Sequence, residues 1–188
     1  MTLNGALDQA GAFAALPADT RAAKKAEYAA AGINIIVSAF GETDKPTTQG
    51  ADPTATANTM AQFVTANGLD GIDVDYEDLD AMNKGDGAAE AWVTTFTQTL
   101  RQTLPQGQFI LTHAPLAPWL SPNQQFAAGA YLTIHKNVGS MIDWVSSLRA
   151  QRVLVCLQPE HGTDDALAMC STTSSSTTRV CTPTARDC

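Results

Sequence analysis

The chain has no cysteine before Cys156, no apolar run long enough to span a bilayer and no Asn-x-Ser/Thr glycan acceptor. Met1-Thr2-Leu3-Asn4-Gly5 lacks the basic start and continuous apolar stretch of a signal peptide. Basic residues are also scarce: 11 Lys and Arg face 19 Asp and Glu, giving a net charge of -8 and a pI near 4.6. That balance argues against a nucleic-acid partner and leaves an uncharged ligand as the natural expectation. Cys156, Cys170, Cys181 and Cys188 show no zinc-site spacing, so no metal and no cofactor is implied. At 188 residues the chain is long enough for one domain with a real core.

What the chain does hold is an acidic run, Asp70-Gly71-Ile72-Asp73-Val74-Asp75-Tyr76-Glu77. Acidic and apolar residues alternate through it. In a β-strand, side chains two apart share a face, so Ile72, Val74 and Tyr76 point one way and Asp73, Asp75 and Glu77 the other. Unpaired carboxylates in a row cost stability, so such a row is kept for chemistry. An EF-hand does not fit: the sixth position counted from Asp73 is Asp78 rather than glycine, and the twelfth is Lys84 rather than glutamate.

The rest of the first 144 residues alternates helix and strand. Arg21 to Ala31 reads as a helix ended by Gly32, and Ile33 to Phe40 as a buried parallel strand. Asp52-Pro53 is an N-cap with proline at the first helical position, opening a helix to about Asn67. Gly71 to Glu77 is a strand. A helix from Asp86 or Gly87 to Leu104 carries Trp92, Phe96 and Leu100 on one face. Phe109 to His113 is a strand, and Met141 to Trp144 begins another. The order implies an α/β fold of βα units around a parallel sheet.

The pattern Asp70-x-x-Asp73-x-Asp75-x-Glu77 resembles the signature of glycoside hydrolase family 18, the chitinases and related endo-N-acetylglucosaminidases. Gly32 to Gly41 resembles the family's preceding barrel strand, and Leu111 to Trp119 the next strand and loop in its fungal branch. The resemblance runs from about Leu3 to Trp144. It implies an incomplete (β/α)8 TIM barrel: roughly strands three to five and the start of six, with Leu3-Asn4-Gly5 just after strand two.

The resemblance also implies the chemistry. The activity is retaining, substrate-assisted hydrolysis of β-1,4-linked N-acetylglucosamine in chitin, chitooligosaccharides or N-glycan cores. Glu77 is the general acid/base. Asp75 orients the acetamido group and stabilises developing positive charge, and Asp73 shares a proton with Asp75. Asp70 and Gly71 fix the start of the strand. Ser38 and Gly41 line the floor of the site. His113 either bonds within the site or fills the barrel interior, the second being the better reading. Trp119 either stacks on a sugar ring or does not, while Tyr76 packs outward under helices. His135 and His161 have no supporting partner in the sequence. A monomer that acts outside the cell is expected for the complete family member. The alternatives are a chitin- or N-glycan-binding lectin without turnover, against which the intact Glu77 argues, and a fragment without function.

Composition changes after Trp144. Residues 1–144 hold seven Lys/Arg and fifteen Asp/Glu, residues 145–188 four of each, and ten of the residues from Ser171 to Thr184 are Ser or Thr. In fungal relatives the segment after Asp-Trp resembles Tyr-Asn-Val-Gln-Phe-Tyr-Asn-Gln-Gly, which supplies a catalytic tyrosine that this chain lacks. Codons for that segment, read one base later with suitable third bases, translate as Thr172 through Val180 at every position. Val145-Ser146 can be GTG-AGT, a common intron start. Residues 145–171 therefore read as a retained intron and 172–188 as out of frame, the competing reading being a genuine Ser/Thr-rich linker. The source transcript tests this: splicing that joins the Trp144 codon to a tyrosine codon is expected, and a message that uniformly retains the segment overturns it.

Overall fold

The computed structural model describes residues 1–122 and 125–146. The reading of 147–188 as intron and shifted frame lies outside the described residues. Four parallel strands, β1 (Ile36–Phe40), β2 (Gly71–Asp75), β3 (Ile110–His113) and β4 (Trp144–Val145), form one sheet in the order β1-β2-β3-β4. Val145 continues β4, so the strand crosses the compositional boundary at Trp144. Between the strands run α3 (Pro53–Ala66), α4 (Leu79–Lys84), α5 (Ala88–Thr103) and α6 (Ala130–Val138), preceded by α1 (Asp8–Ala14) and α2 (Ala18–Ala30).

The caps explain where the helices begin. Asp52 accepts from Ala55 N at 2.6 Å and Pro53 supplies the first helical residue of α3. Asp78 caps α4 from full burial, accepting from Ala81 N at 3.2 Å while also binding Thr48 N and Oγ1 at 2.7 and 2.6 Å. The sequence reading missed α1, α4 and α6. α4 is six residues long and too short for a periodic signal.

Ile72 and Val74 are fully buried on one face of β2, where the helices cover the sheet, and Asp73 and Asp75 lie on the other, less covered face. Trp92, Phe96 and Leu100 do form the inner stripe of α5. Trp92 and Phe96 stack at 5.0 Å, and Phe40 meets both rings at 5.6 and 5.2 Å.

Two aspartates tie the sheet together in the same way. Asp70, just before β2, donates its N–H to Ile35 O and accepts from Ile35 N through Oδ2, both at 2.8 Å, while Lys25 of α2 pairs with Oδ1 at 2.9 Å. Asp143, just before β4, donates its N–H to Leu111 O at 2.9 Å and accepts from Leu111 N at 2.7 Å. Here Arg101 of α5 supplies the cation at 2.9 Å. In each case a carboxylate reaches back to the preceding strand and is neutralised by the helix that leads into that strand.

At Gly71 the strands approach so closely that a Cβ would stand 2.0 Å from the Ile110 carbonyl oxygen. Only glycine fits there, and neither strand can yield without breaking the β2–β3 ladder. Gly71→Ala is expected to cost about 3 kcal/mol or more, measured by urea denaturation. A loss below about 1 kcal/mol would show that the strands part without penalty.

Candidate active site

β2 ends at Asp75, two residues short of the sequence expectation, because its neighbours turn away. Gly41 N and Ala114 N bond Asp75 O and Val74 O at 2.8 and 2.9 Å, and β1 breaks at Phe40. Glu77 therefore sits in the loop directly after the strand, half-buried, beyond the carboxylates of Asp73 and Asp75. The three acids still form a graded series, from the sheet interior to its C-terminal edge.

Phe40 adopts φ +75, a left-handed conformation that costs a non-glycine residue about 1 kcal/mol or more. Its register partner is Asp75. Regular alternation would aim the phenyl ring at the Asp75 face. The positive φ instead accompanies packing of the ring against Trp92 and Phe96 of α5, which leaves the neighbourhood of Asp75 to Gly41. Gly41 itself has φ +91, and a Cβ there would lie 3.7 Å from Asp75 Oδ2, an ordinary contact. Its glycine is required by backbone conformation more than by space.

One row crosses the sheet. Ser38, Asp73, Thr112 and Trp144 are register partners from β1 to β4. Thr112 Oγ1 donates to Asp73 Oδ1 at 2.5 Å and Ser38 Oγ to Asp73 Oδ2 at 3.4 Å. Burial pushes the Asp73 carboxyl up, and the two hydroxyls pull it back down. Asp75 has no such help: its Oδ1 is buried without a hydrogen-bond partner among the described residues. Burial first, then the charges of Glu77 and Asp73, push the Asp75 pKa up to about 6. The two aspartates are adjacent on one face and titrate as a coupled set.

Two of the expected substrate-binding residues are elsewhere. Thr112 faces Asp73, so His113, its neighbour in the strand, faces the helices. The His113 ring is fully buried, 3.2 Å from Thr97 Oγ1 and 3.2 Å from the Tyr131 hydroxyl. Burial, with Arg101 nearby, lowers its pKa to about 3 and keeps it neutral. It lies off the acidic face, on the side that the helices cover. Trp119 is 1% exposed and stacks on Tyr131 at 6.0 Å, and it also meets Tyr76 at 6.3 Å. A ring enclosed in this way offers no face to a sugar. Tyr76 is itself fully buried on the helix side, with its hydroxyl 2.8 Å from Thr47 Oγ1. Ser38 is exposed on the acidic face.

Thr112 and Trp144 were missed as members of this face. A strand read alone gives alternation but not its phase relative to the next strand. The signal that could have found them is the β2–β3 register, which Gly71 against Ile110 fixes. Asp143 was missed too, although like Asp70 it stands immediately before a strand.

The raised pKa of Asp75 has a consequence for stability. Between about pH 4 and pH 6 the folded chain holds a proton that the unfolded chain has lost, so stability falls as pH rises through that window. Asp75→Asn should remove this component and stabilise the chain at pH 7.5 by about 1 kcal/mol, allowing for solvent screening. Urea denaturation at pH 4.5 and 7.5 checks it. An Asp75→Asn chain that is no more stable than the parent at pH 7.5 would refute the assignment.

No protein-family model matches the sequence, and no curated protein does. Solved structures do. A GH18 chitinase from Pseudoalteromonas aurantia matches with a TM-score of 0.60 and 30% identity, covering 71% of this chain and 49% of that one. A fungal endo-beta-N-acetylglucosaminidase from glycosyl hydrolase family 18 matches with a TM-score of 0.46 and 16% identity, covering 66% and 44%. The chain thus spans about half the length of the chitinase it matches. The parallel sheet in sequential order, the Asp73–Asp75–Glu77 series after Gly71 and the likeness to the chitinase agree: the chain carries a domain that resembles those of glycoside hydrolase family 18.

Proposed function

We propose that the protein is a glycosidase acting on β-1,4-linked N-acetylglucosamine, in chitin or chitooligosaccharides, by the retaining, substrate-assisted route. The four strands then correspond to part of a (β/α)8 barrel, with the Asp73–Asp75–Glu77 face turned inward and Glu77 at the C-terminal mouth, where such barrels place their chemistry. The observation that carries the reading is this series: two carboxylates on one face of β2, the second partly buried with its Oδ1 unbonded among the described residues, and a third directly after the strand whose charge acts on the second.

In the first step protonated Glu77 gives its proton to the glycosidic oxygen as the bond from that oxygen to C1 breaks. The substrate's acetamido carbonyl oxygen forms the new bond to C1, and an oxazolinium ion results. Asp75 passes the proton of the resting pair to Asp73 and, as a carboxylate, accepts a hydrogen bond from the acetamido N–H, which holds the carbonyl in line and offsets the positive charge that develops. Ionised Glu77 then takes a proton from water, whose oxygen attacks C1. The acetamido group is restored and the configuration at C1 is retained. Asp73, held by Thr112 and Ser38, stays beneath as the partner with which Asp75 exchanges its proton.

The test is hydrolysis of chitooligosaccharides by the chain and by Glu77→Gln. Loss of the acid/base should lower turnover by about a hundredfold or more. Equal turnover in the two proteins sinks the proposal. Binding of chitooligosaccharide without turnover by the parent chain replaces it with the sugar-binding reading.

A further inference from the structure

Thr112 is the most enclosed polar contact of the acidic face. It is 1% exposed, its hydroxyl lies 2.5 Å from Asp73 Oδ1, and it stands on a different strand from the acids. The β2–β3 register, fixed by the close approach at Gly71, sets its position opposite Asp73. Ser38 contributes a longer and exposed contact on the other oxygen. A hydroxyl donor stabilises the ionised form of its acceptor. Asp75, the next acid along the same face, has no comparable donor on Oδ1 among the described residues.

We infer that Thr112 is a positioning residue: its enclosed hydroxyl, given to Asp73 Oδ1, keeps Asp73 as the ionised acceptor of the pair and leaves the proton to Asp75. A single proton placed on two adjacent acids goes to the one whose charged form is less well solvated. Thr112 creates that difference. The other groups facing the pair do not reverse it. Glu77 follows on the same segment and raises Asp75 further. From β1 the partner is the neutral hydroxyl of Ser38. From β4 it is the non-titrating Trp144, and His113 of β3 points to the helices. Tyr131 of α6 is kept protonated by burial.

The inference deepens the glycosidase reading, on which its catalytic meaning rests, but its readout does not need turnover. The carboxyl carbon resonances of Asp73 and Asp75 are followed against pH by NMR in the 188-residue chain and in Thr112→Val, Thr112→Ser and Thr112→Cys. In Thr112→Val the Asp73 midpoint should rise and the Asp75 midpoint fall, each by about one pH unit. Thr112→Ser should restore the parent order. Thr112→Cys, a weaker donor, should give a smaller shift in the same sense, and serves if valine prevents folding. A merely structural threonine would change the urea midpoint and leave the two titrations in place. Unmoved midpoints in Thr112→Val, or midpoints that move together, overturn the inference. If the midpoints move as expected while Glu77→Gln leaves chitooligosaccharide turnover unchanged, the inference stands and only the glycosidase reading is lost.

Discussion

The structure depends on the phase of β2. Asp73 and Asp75 can be tolerated only because Ile72 and Val74, their neighbours in the strand, take the face that the helices cover. A slip of one residue would carry both carboxylates under α3 and α5 and expose the two apolar side chains, so the register is strongly specified. Gly71 helps to enforce it, since no other residue fits opposite Ile110. The glycine is thus as much a part of the site as the acids that follow it. It sets β3 so that Thr112, and not His113, meets Asp73.

The site accepts unfavourable terms that the surrounding fold offsets. Asp75 is partly buried beside two other acids, and Phe40 holds a left-handed conformation. Against these stand the aromatic group of Phe40, Trp92 and Phe96 and the Asp70–Lys25 and Asp143–Arg101 ties. Arg101 is almost enclosed, and it also donates to Met141 O, Leu104 O and Phe109 O at 2.7, 3.1 and 2.8 Å. A buried cation satisfied by four partners is stable where an unpaired one would be costly.

The acidic row was legible because its period of two belongs to the strand alone. The cap at Asp52 and the inner stripe of α5 were legible for the same reason, as local patterns that packing did not override. His113 and Trp119 were not. Whether a strand residue faces inward depends on its partner strand, and whether a loop tryptophan is exposed depends on what folds over it, here Tyr131 of α6. The end of β2 was misplaced because the alternation continues to Glu77 while the ladder stops, and the ladder stops for a reason that lies in β1. Sequence shows the pattern of one segment. Phase, cover and the ends of ladders come from pairs of segments.

The two aspartate ties have a bearing on how the chain is made. Strand order follows sequence order, so each strand pairs with the one that left the ribosome before it. Asp70 and Asp143 stand at the head of the newer strand and bind the backbone of the older one, with a cation already supplied by the older strand's own helix. A βα unit tied in this way can be locked to its predecessor as it emerges, without waiting for a distant segment. Vectorial synthesis and the final topology run in the same direction.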